Sequence, residues 1–219
     1  MPELNFEVER AEPVPHAASP LLNFKLKITD VAGAAALSIP AVALRCQIRI
    51  EPTRRKYVAP EQERLLDLFG APARWGQTLR SMLWAHASLV VPPFTGQTIV
   101  DLPVPCSYDF NLAATKYFYA LQDGEVALSL LFSGTIFYTE EEDGSLQTSP
   151  ISWEKEAAFK LPVQVWKSMM NHYYPNSAWL CLRQDVFDRL YLFKSRLSLP
   201  TWEQALERLL DAGPAEGEP

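Results

Sequence analysis

The chain has 219 residues, 48% of them hydrophobic, and a formal net charge of −6 at pH 7. A chain of this length buries about 70% of its unfolded surface on folding, so a core can form without disulfides or metals. The acidic balance argues against nonspecific binding to nucleic acid or to anionic membranes, because both need a cationic protein surface.

Alternation of apolar and polar residues predicts three strands at the start of the chain, over 4–12, 22–29 and 42–50. Residues 31–40 are small and weakly patterned, and we interpret them as a connection. Each strand places its apolar residues two positions apart, as on the buried face of a sheet.

The apolar spacing then becomes helical from Pro60 to Phe69, behind an acidic first turn and before Gly70. This pattern predicts one inserted helix. Two further strands are predicted over 83–91 and 98–104. The second contains a proline, which cannot donate a ladder hydrogen bond, so it lies at a sheet edge or ends early.

The stretch from Lys116 to Glu140 has the pattern of a long β-hairpin, with Asp123-Gly124 as its two-residue turn. That register puts Tyr119 opposite Leu128, with both side chains in the core. The opposite face is mixed and includes Phe118, so we expect the C-terminal helices to cover it. An acidic turn at 140–143 and a strand over 152–159 follow.

Helical spacing dominates the last third of the chain. Pro162 opens a predicted helix that runs to Tyr173, and Asp185 caps a second one. Thr201 matches the capping box T-x-x-Q at the start of a third. The short apolar segment 179–182 between the first two helices favours a last strand.

These elements predict a mainly β fold with α: an antiparallel β-sandwich, jelly-roll-like, packed against C-terminal helices. We expect residues 1–160 to form the sandwich, with one inserted helix near 60–70. Residues 161–212 are expected to form the helical part, and 213–219 a disordered tail.

The sequence has no motif with catalytic, nucleotide-binding or metal-ligand spacing, so we predict no catalytic residue, no cofactor and no metal ligand. Three isolated cysteines, Cys46, Cys106 and Cys181, indicate reduced, buried thiols in a cytoplasmic protein. The first residues lack a signal peptide, and no apolar run reaches the ~18 residues of a membrane span.

Aromatic residues crowd the C-terminal third, where two interpretations are open. They pack the helices onto the sandwich, since aromatic side chains dominate core energetics, or they form a protein interface, where such residues are enriched. The predicted interaction surface consists of Tyr173, Tyr174, Trp179 and Trp202.

Short motifs in this region resemble a family of uncharacterised bacterial proteins of about this length. The motifs are Trp153-Glu154-Lys155-Glu156, Leu161-Pro162 with Trp166 and Met170, Tyr174-Pro175, Trp179-Leu180, and Leu199-Pro200-Thr201-Trp202-Glu203. The resemblance implies an association with gene clusters of uptake nickel-iron hydrogenases and a cytoplasmic accessory or assembly role. It supplies no catalytic residues.

The leading hypothesis is a non-catalytic accessory or protein-interaction module with a protein partner; a homo-oligomer is compatible with it, and neither nucleic-acid binding nor membrane insertion is expected. An alternative is an enzyme or small-ligand binder with a pocket between sandwich and helices, lined by His86, Tyr108, Asp109 and His172. A third is a structural component of a multi-subunit assembly that uses an open sheet edge.

Overall fold

Two antiparallel sheets form the body of the protein in the computed structural model, which describes residues 1–32, 38–140 and 144–213. The strands of the described residues are β1 (Leu4–Pro13), β2 (Leu21–Asp30), β3 (Ser38–Ile39), β4 (Ala41–Ile50), β5 (Met82–Val91), β6 (Phe94–Thr95), β7 (Gln97–Pro105), β8 (Glu125–Thr139), β9 (Leu146–Pro150) and β10 (Glu156–Pro162). The α-helices are α1 (Ala59–Arg64), α2 (Leu66–Phe69), α3 (Trp75–Thr78), α4 (Ala113–Ala120), α5 (Val163–Tyr173), α6 (Gln184–Arg196) and α7 (Trp202–Asp211).

One sheet has the strand order β1-β2-β7, and the other has the order β10-β8-β4-β5 with β9 paired to β8. Their facing side chains meet in a shared core, where Phe6 of β1 stacks on Phe132 of β8 with 4.3 Å between ring centroids. Phe24 of β2 lies 5.4 Å from Phe159 of β10. The fold is therefore the predicted antiparallel β-sandwich with helices, and most of its buried apolar residues lie between the two sheets.

Five predicted strands are confirmed to within one residue at each end: β1, β2, β4, β5 and β7. The position of β7 at a sheet edge is also confirmed, since β7 pairs only with β2 among the described strands. The strand predicted over 152–159 begins four residues later, as β10, and β9 was not predicted. Parts of three predicted segments lie outside the described residues: 33–37 of the connection, 141–143 of the acidic turn, and 214–219 of the tail.

The hairpin predicted for Lys116–Glu140 is wrong in its first arm. Residues 113–120 form helix α4, and Asp123-Gly124 turns the chain from this helix into β8. The hairpin cannot form because β8 pairs with β10 along one side and with β4 along the other. Tyr119 is consequently 48% exposed instead of buried in the core, whereas Phe118 is fully buried.

We expected the C-terminal helices to cover the outer face of the sheet. This expectation is wrong at the positions where the side chains of that face are exposed. Arg45 of β4 lies across from Ser88 of β5 and Ser133 of β8, and all three are exposed. Helices α4 and α5 instead insert Phe118 and Trp166 into the core. The helices thus complete the core of the sandwich.

The chain divides into two compact units, Met1–Trp179 and Leu180–Pro219. Helix α5 therefore belongs to the unit that contains the sandwich, whereas we expected the helical part to begin at residue 161. The strand predicted over 179–182 is wrong, since Trp179 forms only an isolated bridge with Asp109.

The second unit is described up to Gly213 and contains α6 and α7. The predicted cap of α7 is confirmed: the backbone N–H of Gln204 donates to the hydroxyl of Thr201 at 3.2 Å. Helix α6 begins with Arg183 at its N-cap, so Asp185 lies in the first turn and is not the capping residue. Across the part of the chain that the structure describes, no helix is long and apolar enough to cross a membrane.

Candidate protein-interaction surface

Five aromatic side chains meet at one place on the first unit, and we call this group the aromatic surface: Tyr108, Phe110, Tyr119, Tyr174 and Trp179. Tyr108 stacks on Tyr174 with 5.3 Å between ring centroids and 6° between ring planes. Phe110 meets Tyr119 edge-on at 4.8 Å, and Tyr174 lies 5.2 Å from Trp179. Such ring separations are those of attractive aromatic pairs, so the five side chains support one another.

The loop between β7 and α4 presents two of these rings through local hydrogen bonds. The carboxylate of Asp109 accepts the N–H of Asn111 at 2.9 Å, and the hydroxyl of Ser107 accepts the N–H of Asp109 at 3.1 Å. Thr115 of α4 donates to the carbonyl of Ser107 at 3.0 Å. Asn, Asp and Ser favour such turns because their short side chains bond to nearby backbone groups. The turn holds Tyr108 and Phe110 on either side of Asp109.

The chain beyond α5 presents the other edge of the aromatic surface. The last hydrogen bond of α5 is donated by the N–H of Tyr174, at the C-cap, to the carbonyl of Met170 at 2.7 Å. Asn176 then adopts φ 51°, a left-handed conformation that asparagine tolerates. The chain thereby returns to place Trp179 in a β-bridge with Asp109.

The aromatic surface rests on buried rings and is therefore held firmly. Trp166 of α5 and Phe118 of α4 stack at 5.1 Å, and both are almost completely buried. The ring of Tyr108 lies 6.1 Å from Trp166. Burial raises the pKa of the Tyr108 phenol above its ordinary value.

The outer members of this group remain open to solvent. Trp179 is 60% exposed, and Tyr119 is 48% exposed. Leu112, at the N-cap of the helix α4 that carries Tyr119, is 47% exposed. Clustered exposed apolar side chains on a folded unit are typical of binding sites, whereas scattered single ones are not.

A cleft of about 370 Å³ adjoins the aromatic surface. Its lining consists of Arg64, Asp67, Leu68, Phe110, Lys116, Tyr119 and Ala120. The ammonium group of Lys116 pairs with the carboxylate of Asp67 at its rim. The lining therefore combines apolar and aromatic side chains with charged ones, and protein interfaces contain both.

The four residues predicted for the interaction surface lie in three places. Tyr174 and Trp179 belong to the aromatic surface. The hydroxyl of Tyr173 instead accepts the N–H of Ala17 at 2.9 Å and donates to the carbonyl of Val14 at 2.7 Å, so it ties a loop to α5. Trp202 lies in the second unit, 5.4 Å from Phe187.

The pocket residues of the alternative hypothesis have different neighbours. His86 is exposed on β5, where it lines a shallow cleft of about 430 Å³ with Arg45, Gln47 and Ser133 among others. Tyr108 and Asp109 belong to the aromatic loop, and the ring of His172 lies 6.2 Å from that of His16. Of the four residues, only Tyr108 and Asp109 share a segment, and they are adjacent in the sequence. The pocket remains a prediction.

The cysteines correct one expectation. All three are free, but only Cys46 and Cys106 are buried, whereas Cys181 is exposed. Burial raises the pKa of Cys46 and of Cys106 to about 12. Among the residues described, no three His, Cys, Asp or Glu side chains lie together as metal ligands.

The fold and the aromatic surface define an antiparallel β-sandwich protein with a solvent-exposed patch of aromatic side chains. The chain belongs to a family of unknown function (DUF6084), whose model matches residues 1–218. No curated protein matches it. Among solved structures it is similar to the CARDB domain of a Pyrococcus furiosus protein crystallised with di-metal ions, with 10% sequence identity and a TM-score of 0.27 over 73% of this chain and 91% of that one.

Proposed function

We propose that this protein is a non-catalytic accessory protein that binds a protein partner through its aromatic surface. The observation that carries the proposal is the exposure of Trp179 and Tyr119 at the edge of an aromatic cluster that rests on the buried stack of Phe118 and Trp166. Tryptophan and tyrosine are the residues most often found to dominate binding energy at protein interfaces.

A rigid aromatic surface favours binding for an entropic reason. Each of these rings has few rotatable bonds, and its neighbours already hold it in place, so little conformational freedom is lost when a partner arrives. The adjoining cleft between Leu68 and Tyr119 offers a place for an apolar side chain of the partner. The paired charges of Lys116 and Asp67 supply a polar rim.

We further propose that the partner is a component of an uptake nickel-iron hydrogenase or of its assembly machinery in the cytoplasm. The support is the resemblance carried by Trp153-Glu154-Lys155-Glu156, the Leu161-Pro162 helix start and Leu199-Pro200-Thr201-Trp202-Glu203. Membership of a family of unknown function is compatible with this role.

The test is affinity capture of the tagged full chain from its own host, followed by mass spectrometry. The variants are Trp179→Ser and the combined Phe110→Ser and Tyr119→Ser. Trp153→Ser is the matched control, because Trp153 is 88% exposed and lies outside the aromatic surface. We expect hydrogenase components to be enriched with the wild type and the control, and to fall by about tenfold or more with the other variants.

Two results would contradict the proposal in different ways. If the same proteins are captured by the wild type and by the Trp179 and Phe110/Tyr119 variants, the aromatic surface is not the binding site. If its loss removes a specific partner that is unrelated to a hydrogenase, the interaction proposal stands and the hydrogenase proposal fails. Urea unfolding of each variant establishes that the folded state is retained.

A further inference from the structure

The second unit has almost no core of its own in the residues described up to Gly213. Only Ala205 is buried there. Helices α6 and α7 meet through Trp202, which contacts Phe187 at 5.4 Å and Tyr191 at 6.3 Å, with the Lys194 ammonium 5.5 Å from its ring. Two short helices with so little burial gain little stability from each other, since helices in proteins depend on packing.

Helix α6 carries a second apolar strip on the side that does not contact Trp202. We call this strip the basic face. It forms a shallow groove of about 340 Å³ lined by Arg189, Leu192, Phe193, Arg196 and Leu197. Leu192 is 51% exposed and Leu197 is 48% exposed. Both charged residues that line this groove are arginines, so it combines positive charge with exposed leucines.

Helix α7 carries the opposite combination on what we call the acidic face, made of Glu203, Leu206, Glu207, Leu210 and Asp211. Their spacing of three and four residues places them side by side along one strip of the helix. Leu210 is 79% exposed, and Leu206 is 41% exposed. The strip presents leucines beside carboxylates, as the basic face presents leucines beside guanidinium groups.

We propose that the basic face of one copy of this chain binds the acidic face of a second copy. With the two helices side by side, the order arginine, leucine, arginine meets the order glutamate, leucine, aspartate. At ~1.5 Å per residue, Arg189 and Arg196 lie ~10 Å apart along α6, and Glu203 and Asp211 lie ~12 Å apart along α7. The leucines between them then face one another.

Two acidic residues of α6, Asp185 and Asp188, lie near the basic face. Asp185 pairs with Arg183 at 2.8 Å at the N-terminus of α6, so its charge is already compensated. Asp188 lies four residues before Leu192, at the edge of the basic face, and Arg208 lies on the side of α7 away from Glu203. Because the complementary faces lie on different helices of the same chain, the contact joins unlike surfaces of two copies.

The test uses the purified full chain with a reductant, because exposed Cys181 would otherwise allow disulfide-linked oligomers. The first variant carries Arg189→Glu and Arg196→Glu, and the second carries Glu203→Arg and Glu207→Arg. Each variant has a control that makes the same change in net charge at exposed positions of the first unit. The control for the first variant is Arg54→Glu with Lys56→Glu, and the control for the second is Glu9→Arg with Glu63→Arg. Sedimentation velocity measures the mass from micromolar to hundreds of micromolar concentration.

We expect the wild type and both controls to self-associate with rising concentration. Each helix variant alone should lose this association by about tenfold or more, and an equimolar mixture of the two should recover it. Far-UV circular dichroism of every variant distinguishes the loss of binding from the loss of helix. The same measurements are made on Leu192→Ser, which changes the basic face without changing its charge. A wild type that stays monomeric throughout, or an oligomer that survives both charge reversals, overturns the proposal.

Discussion

The ring of Phe118 lies face to face with the ring of Trp166, with 5.1 Å between their centroids and 12° between their planes. The first belongs to α4 and the second to α5, so this stack joins two helices that are more than forty residues apart in the chain. Both rings are buried by at least 98% of their surface. The aromatic surface is built directly on this pair through Tyr108.

Replacement of Phe118 by alanine should lower the free energy of unfolding by about 3–5 kcal/mol, because it removes a fully buried ring and leaves a cavity. Tyr119→Ala is the matched control in the same helix. It should cost about 1 kcal/mol or less, since nearly half of its side chain is exposed. Urea denaturation of the two variants measures the difference. The hairpin that the sequence pattern suggested requires the reverse ranking, with Tyr119 in the core.

Alternation of apolar residues predicted β1, β2 and β4 correctly because one face of each is buried and the other is polar. The same rule failed for the first arm of the hairpin predicted from Lys116, where residues 113–120 form α4. Their apolar residues satisfy both a strand and a helix, and only the pairing of β8 with two other strands excludes the strand.

The aromatic surface could be predicted only in part. Tyr174 and Trp179 stand close together in a region rich in aromatic residues, which is why they were recognised. Phe110 and Tyr119 come from a part of the chain about sixty residues earlier, and no local pattern connects them to the first pair. Their proximity arises from the packing of α4 against α5, which depends on the tertiary fold.

Gly134→Ala should be among the most damaging single substitutions in the sandwich. Gly134 has φ 144°, and a Cβ atom there would lie 2.0 Å from the carbonyl oxygen of Ala43 on the paired strand β4. The clash involves backbone on both sides, so we expect a loss of about 3 kcal/mol in the free energy of unfolding. Gly76→Ala is the control, because its Cβ meets nothing within 4 Å. A Gly134→Ala protein as stable as this control would contradict the strand pairing.

The buried pair of Arg55 and Glu61 holds the turn between α4 and β8. One guanidinium nitrogen of Arg55 lies 2.6 Å from the Glu61 carboxylate, and the same side chain donates to the carbonyls of Asp123 and Glu125. Glu61 also accepts the N–H of Gln122 at 2.8 Å. The two side chains are 11% and 2% exposed, so neither charge is well hydrated.

Glu61→Gln should therefore cost about 3 kcal/mol of unfolding free energy, because it leaves the Arg55 charge buried without its counterion. Glu63→Gln changes the same chemical group at an exposed position of the same helix and should change stability by about 0.5 kcal/mol or less. Thermal and urea unfolding measure both. Equal stability of the two variants would show that the pair does not support the turn.

The three cysteines should differ in reactivity in the folded protein. Cys181 is exposed, whereas Cys46 and Cys106 are buried. We expect one thiol to react with a disulfide reagent near neutral pH in the native state and all three to react in denaturant, because a thiolate must form and be reached by the reagent. Cys181→Ser should abolish the native-state reaction. Fast reaction of a second thiol would show that the sandwich opens around β4 or the end of β7.

The same buried thiols make stability fall in alkaline solution. Burial raises the pKa of Cys46 and of Cys106 to about 12 from an ordinary value of 9.0, so the folded state holds these protons more tightly than the unfolded state. Their contribution is complete below about pH 9 and is lost as the pH rises towards 12, by up to about 1.4 kcal/mol per pH unit for each thiol. Burial also raises the pKa of Tyr117, which acts in the same direction at higher pH.

Urea unfolding at a series of pH values measures how steeply the free energy of unfolding falls with pH. The combined Cys46→Ala and Cys106→Ala variant should show a smaller slope between pH 9 and 10 than the wild type, whatever its stability at neutral pH. An equal slope would mean that the two thiols ionise alike in the folded and unfolded states.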